Sequence, residues 1–237
     1  MEQLRIDGED IPFRVEKARG RRMRMLIDAR KGVLIIRTPS GRFDAQARAF
    51  LQKETDWIKR HFQKVHRRHD QVDVFHQHLE AGRIPFQGES WYLHRTEAPQ
   101  RSLRLDPEHK RMHLVSRPED PWKAVLKRGL WDRAKLFLVP RAEELIRWTE
   151  SNVNRIFVKD QKSIWGSCSS KSNINLNWHL IFLEEALVDY LIIHELMHLR
   201  EMNHSKRFWD WVGRYYPDYK MADKMLNEKQ WLVGILD

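Results

Sequence analysis

Between Glu184 and Glu201 the apolar residues Leu187, Val188, Leu191, Ile192, Leu196 and Leu199 return every three or four positions, with no Gly or Pro and with acids at the start. That period is one face of a helix, and acids suit the positive end of its dipole, so the spacing predicts a helix here. Just upstream the period is two. Ile174, Leu176 and Trp178 alternate with Asn173, Asn175 and Asn177, which predicts a strand with one face on a core and the other lining a cleft or meeting solvent. Arg155 to Val158 and Ser163 to Trp165 read as further strands, the second followed by a small-residue loop from Gly166 to Ser170. Beyond His204, the residues Phe208, Trp211, Val212 and Tyr215 space as the buried stripe of another helix.

The N-terminal half has a different texture. Met23 to Asp28 and Val33 to Arg37 are short runs around Ala29-Arg30-Lys31-Gly32, a hairpin pattern closed by Thr38-Pro39-Ser40-Gly41. Asp44 can cap a helix striped by Phe50, Leu51, Trp57, Ile58 and Phe62, after which His61, His66, His69, His76 and His78 crowd a basic stretch read as a solvated helix end and linker. Strand-like segments return at Ile84 to Phe86, Ser90 to His94, Leu103 to Leu105 and Met112 to Val115. From Trp122 to Thr149 the period is helical, interrupted by Pro140, which is expected to kink the helix or start a second one. The class is therefore mixed α+β, with a change of character near residue 119. Residues 1–118 form a β-rich N-terminal region with one helix and a basic hairpin, and residues 119–237 form the domain with the candidate chemistry. No internal repeat is apparent in the sequence.

Composition adds setting. The net charge of +10 is uneven, with +7 in residues 1–78, +3 in 79–150 and none in 151–237. Any basic surface belongs to the N-terminal half, where Lys17, Arg19, Arg21, Arg22 and Arg24 cluster around Gly20. Such a cluster is a solvated hairpin tip or a contact for nucleic acid or another polyanion. A single cysteine, Cys168, excludes an internal disulfide, and no apolar run approaches a membrane span. With no secretory pattern at Met1-Glu2-Gln3, the expected location is cytoplasmic.

The predicted helix at Glu184 carries His194, Glu195 and His198, an H-E-x-x-H pentad, with His204 six residues on. Positions four apart lie about 40° apart around a helix and about 6 Å along it, so His194 and His198 can grip one Zn²⁺. Glu195 sits one step round, where it can take a proton from a water that the ion has acidified toward ~7. A third ligand is needed. Glu201 would lie about 10.5 Å along the axis, an awkward reach, whereas a chain that turns back fits better. Asn203 tolerates the left-handed conformation that ends helices, and Ser205 can cap a new one, which places His204 at the bend as the expected third ligand. With 12 His and 17 Glu in the chain, chance would supply the pentad roughly 0.04 times.

The run Ser163-Ile164-Trp165-Gly166-Ser167-Cys168, then Ile174-Asn175-Leu176-Asn177, then the pentad, then His204-Ser205-Lys206-Arg207-Phe208-Trp209 resembles the YgjP-like metallopeptidase family, relatives of the SprT and WLM zincin domains. The resemblance implies a zincin-like metallohydrolase core, with a small sheet over the active-site helix. It also implies His194, His198 and His204 as metal ligands and Glu195 as base. The chain departs from two other zincin patterns. The metzincin spacing has Gly where Glu201 stands, and a gluzincin would draw a Glu ligand from a later helix.

Three functions follow from these residues. The first is a zinc peptidase acting on peptides or proteins, with another divalent transition metal as the variant. A second is metal-dependent hydrolysis of nucleotide phosphoanhydrides, prompted by the basic half and by the amides of the Gly166 to Lys171 loop; three imidazoles suit Zn²⁺ better than the Mg²⁺ such chemistry favours. The third, a nucleic-acid-associated module with a structural metal, leaves Glu195 without a task. Cys168 has no identifiable partner for nucleophilic work, and Arg200, Tyr215 and Tyr216 are candidates by type for stabilising an oxyanion.

Overall fold

The computed structural model describes residues 2–6, 8–28 and 32–236. It has two compact units, Met1–Asp73 and Val74–Asp237. In the first, β1 (Glu2–Ile6), β2 (Glu9–Lys17), β3 (Arg24–Asp28) and β4 (Val33–Thr38) form a sheet of order β1-β2-β4-β3. α1 (Ala45–Lys53) follows, capped as expected by Asp44, whose Oδ1 accepts from the Ala47 amide at 3.0 Å. Phe13, Leu34 and Ile36 from the sheet meet Leu51, Ile58 and Phe62 from the helices in one core. The expected single helix is broken at Glu54, and α2 (Thr55–Glu80) runs through the five-histidine stretch without a linker. The expected turn at Ala29 to Lys31 lies outside the described residues, although β3 and β4 pair antiparallel as a hairpin would.

The basic cluster is not a hairpin tip. β2 runs parallel to β4, and β3 lies on the far side of β4, so residues 18–23 cross over the end of β4 instead of joining two paired strands.

The second unit repeats this plan. β5 (Arg83–Phe86), β6 (Glu89–Glu97), β7 (Ser102–Asp106) and β8 (Arg111–Ser116) form a sheet of order β5-β6-β8-β7, again with a parallel inner pair and antiparallel outer pairs. A helix follows each sheet. The duplication escapes a reading of the sequence because strands specify little more than alternation and burial, which many residues satisfy.

α3 (Trp122–Trp148) continues through Pro140, which faces solvent. Its Leu126, Leu130, Ala134, Leu138, Ala142 and Leu145 form a buried stripe at helical spacing. The helix packs on β7 and β8 as well as on the later elements. The change of character near residue 119 therefore falls inside the second unit. After α3 come β9 (Arg155–Lys159), β10 (Gly166–Cys168) and β11 (Asn173–Asn177), in the order β10-β11-β9, then α4 (Glu185–Met197), α5 (Lys206–Tyr215) and α6 (Tyr219–Glu228). No helix among the described residues is long and apolar enough to cross a membrane.

Two strand expectations shift. The strand expected at Ser163 begins at Gly166, where a loop was expected. Of the asparagine row of β11, Asn173 is partly exposed while Asn175 and Asn177 are buried and do not meet solvent. Asn177 is fully buried, and its Nδ2 donates to the carbonyls of Gln161 and Ile164, both at 2.8 Å, while Asn175 Nδ2 donates to Ser167 Oγ at 3.0 Å. Asn177 staples the irregular segment before β10 onto the sheet, supplying partners that a loop cannot supply for itself, and Asn175 ties β10 itself to β11.

Candidate metal centre

α4 is apolar almost all round, and Leu187, Val188, Leu191, Ile192, Ile193, Leu196 and Met197 are buried. Such a helix is a core element and a firm support for the few polar groups it carries. Tyr190, His194 and His198 follow one another at four-residue spacing along one face. α4 stops with His198 as its C-cap and does not run to Glu201. Asn203 Oδ1 then accepts from the Ser205 amide at 3.0 Å, and Ser205 Oγ accepts from the Phe208 amide at 3.4 Å, which starts α5. Ser205 is thus the expected N-cap. Asn203 closes the bend through its side chain and not through a left-handed backbone, since its φ is not positive.

The bend brings His204 back onto α4. Its Nε2 stands 3.1 Å from Nε2 of His194, and one nitrogen from each of His194, His198 and His204 lies within 4.8 Å of the others, a grouping without a counterpart among the described residues. The histidines of α2 do not assemble in this way. Glu201 contributes through its backbone, since its carbonyl accepts from His198 Nδ1 at 3.1 Å, fixing that ring and leaving Nε2 free. Phe208, fully buried, floors the cluster with its ring centroid 4.5 Å from His198, 4.9 Å from His194 and 4.8 Å from His204. Trp209 stacks on His204 at 5.6 Å. The sequence marks Phe208 as core without showing that the core it builds is the underside of the histidines.

Burial and the neighbouring imidazoles push His194 down to about 3, and burial holds His198 below its ordinary value. Neutral imidazole is the form that ligates. Three such rings, with no cysteine or carboxylate among them, suit Zn²⁺ or a related divalent transition ion, and a three-residue set leaves a coordination position for a reactant. The donor set fits a metal.

Behind His194 lies a hydrogen-bonded chain. The buried Tyr190 hydroxyl donates to Asp223 Oδ1 at 2.9 Å, and its oxygen faces His194 Nδ1 at 3.5 Å. With the phenol's one proton committed to Asp223, its oxygen accepts from Nδ1–H, which leaves the Nε2 lone pair toward His204. The helical spacing could have identified Tyr190; nothing in the sequence identifies Asp223. Tyr190→Phe is expected to weaken metal binding by ~10–100-fold, the usual cost of losing an outer hydrogen-bond partner. Competition against a chelator measures this, and unchanged affinity would show that the chain does not act on His194.

Glu195 is 6% exposed. Burial pushes its carboxyl up to about 8, opposed by a hydrogen bond from the Cys168 backbone amide on β10. A carboxyl that titrates near neutral pH is matched to taking and returning a proton. Gly166 makes room for it: a Cβ there would lie 3.0 Å from Glu195 Cγ and Oε1 and 3.2 Å from the Asn175 carbonyl. Gly166→Ala should therefore displace the carboxylate, and a displacement near 1 Å can cost ~10²-fold in rate. The expected outcome is lost turnover with full metal content; undiminished turnover would show that Glu195 needs no such exact seat.

Other candidates are engaged elsewhere. Burial raises the Cys168 thiol to about 11, helped by the Glu195 charge, and Sγ points to the Ser169 carbonyl at 3.7 Å, so it is no nucleophile. The Gly166 to Lys171 amides do not form an open phosphate cradle, because Cys168 N–H serves Glu195 and Ser169 N–H donates to Asn173 O at 3.0 Å. Tyr216 donates to the Ala186 carbonyl at 3.1 Å, Arg200 donates to the Thr149 carbonyl at 2.8 Å, and Tyr215 packs edge-on against Trp148.

The profile of the YgjP-like metallopeptidase domain matches residues 21–229. No curated protein matches the chain. The crystal structure of the metallopeptidase zymogen of Pyrococcus abyssi abylysin is similar at 23% identity over 39% of this chain and 94% of that one, with a TM-score of 0.36. That of Methanocaldococcus jannaschii jannalysin is similar at 23% identity over 39% and 95%, with a TM-score of 0.35.

Proposed function

This chain belongs to the YgjP-like metallopeptidase family, and from that premise we propose that it cleaves peptide bonds with one Zn²⁺ held by His194, His198 and His204 and with Glu195 as general base. The observation that carries the reading is the pairing of two features: three converging imidazoles, and a buried carboxyl next to them that is not one of the group. When bound, the ion supplies Lewis acidity, which polarises a carbonyl and acidifies water. Glu195 accepts the proton of the attacking water and returns it to the departing amine as the C–N bond breaks. The Cys168 amide holds that carboxylate in place throughout.

The fold supports a peptide as the substrate. Among the described residues β10 is an edge strand, paired only with β11, and it packs on α4 beside Glu195. Apart from the Cys168 amide, which serves Glu195, this edge offers backbone groups to an extended chain, which is how a peptide of any sequence can be aligned. The packing of α4 on β10 and β11 supports reading this part of the chain as a zincin-like core. The test is a parallel assay of metal-loaded protein on an unstructured polypeptide and on nucleoside triphosphates, each with and without chelator. Chelator-sensitive cleavage of the polypeptide is expected; phosphate release without proteolysis would replace the peptidase reading with the phosphohydrolase one.

A further inference from the structure

The two four-stranded sheets provide an internal control for the basic cluster. Equivalent positions follow from strand register. Lys17 pairs with Thr38 at the end of β2, and the Ala18 amide then donates to the Thr38 carbonyl at 2.8 Å. In the second sheet Glu97 pairs with Ser116, and the Ala98 amide donates to the Ser116 carbonyl at 3.0 Å. On the other side of the crossover, Arg24 pairs with Arg37, where the second sheet pairs Ser102 with Val115. The positions held by Lys17, Arg24 and Arg37 are therefore Glu97, Ser102 and Val115 in the second copy. This topology closes its crossover without cations at those three positions.

The second crossover also settles the cations it has. Arg101 Nε donates to Asp120 Oδ2 at 2.7 Å, and Arg117 Nε donates to the Pro99 carbonyl at 2.8 Å. The first does the reverse. Lys17, Arg19, Arg21, Arg22, Arg24 and Arg37 ring a concavity of about 990 Å³, and among the described residues Glu16 is the one acid on its lining. Glu16 is already held by Arg14 at 3.0 Å and Arg37 at 3.1 Å. Among the described residues, Lys17, Arg19, Arg21, Arg22 and Arg24 have no acidic partner, and all five side chains are exposed. Like charges gathered this closely repel, so the arrangement weakens the free unit and gains from an anion.

We infer that the crossover loop of the first sheet, residues 17–24 with Arg37, is a binding site for a nucleic-acid backbone. Guanidinium forks match phosphate oxygens in pairs, and Arg outnumbers Lys by five to one on this lining. The concavity is at the upper end of the ~300–1,000 Å³ that holds a whole small ligand, more than one phosphate fills. No aromatic ring lines it to stack a base, which gives a site that follows the phosphate chain without reading sequence. A lone nucleotide would leave most of these cations unmatched. A membrane surface is flat and fits a concavity poorly.

The inference is independent of the metal site, and its test needs no activity. Full-length protein is titrated against a short fluorescein-labelled single-stranded oligonucleotide at several salt concentrations. The wild type should show a linear fall of log K with log salt. Changing Arg19, Arg21 and Arg22 together to Ser should reduce the slope by about 2, from ~0.7 per lost phosphate contact. The three Arg→Lys changes should keep the slope, and removing three cations elsewhere, with Arg104, Lys135 and Arg147 changed to Ser, should leave it unaltered. An unchanged slope in the first variant would overturn the site, and an equal loss in the last would make net charge alone responsible. Displacement by nucleoside triphosphate at equal phosphate concentration, or tighter binding to phosphatidylserine vesicles, would also overturn it. No binding by the wild type would do the same.

Discussion

Glu195→Gln is expected to keep its metal and to lose turnover on an unstructured polypeptide by a factor of ~10² or more, the range that a positioned base supplies. The change preserves volume in a site with little slack, since the Glu195 side chain lies close enough to Gly166 that even a Cβ there would crowd it. An amide oxygen can still accept from the Cys168 N–H, so the side chain should stay in place while its capacity to take a proton disappears. The histidines should be undisturbed, because Glu195 is not in their group. Stability gives a control with a definite sign. A carboxyl raised from 4.5 to about 8 by burial favours the protonated form in the folded state, so at pH values above its unfolded pKa it opposes folding. A neutral Gln escapes that cost, and the variant should melt no lower than wild type at neutral pH. Loss of metal would make Glu195 a ligand. Retained turnover would remove it from the chemistry.

The second large effect is on metal content. His204→Ala should lose most of the bound metal, and its affinity should fall further than the ~10–100-fold expected of an outer partner such as Tyr190. Two imidazoles on one helix face do not complete a site for Zn²⁺. His204 is exposed, and the bend that carries it is fixed by Asn203 and Ser205, so the backbone should survive the change. Elemental analysis after buffer exchange measures the outcome. Full occupancy would take His204 out of the ligand set and turn attention to Glu201, whose carbonyl already touches His198.

The grouping of the three histidines is legible in the sequence because it is local. The H-E-x-x-H spacing, the cap at Ser205 and the turn between them all act within a dozen residues, and helical periodicity translates spacing into a shared face. What escaped the sequence is what distant segments supply. Asp223 reaches Tyr190 from α6, and the Cys168 amide reaches Glu195 from a strand whose first residue reads as a loop glycine. Asn175 and Asn177 alternate like surface residues yet are buried, because polarity reports a need for partners and not where they are found. The duplicated sheet was hidden for a related reason, as the two copies share backbone pairing while differing in charge at the same positions.

On the proposed function, one ion held by His194, His198 and His204 makes this chain a peptidase. Zn²⁺ should be titrated into chelator-stripped protein while cleavage of an unstructured polypeptide is followed. Activity should be absent at the start, rise linearly and stop rising at one equivalent per chain. Activity that survives stripping, or that never appears when the protein holds its full equivalent, would contradict the account.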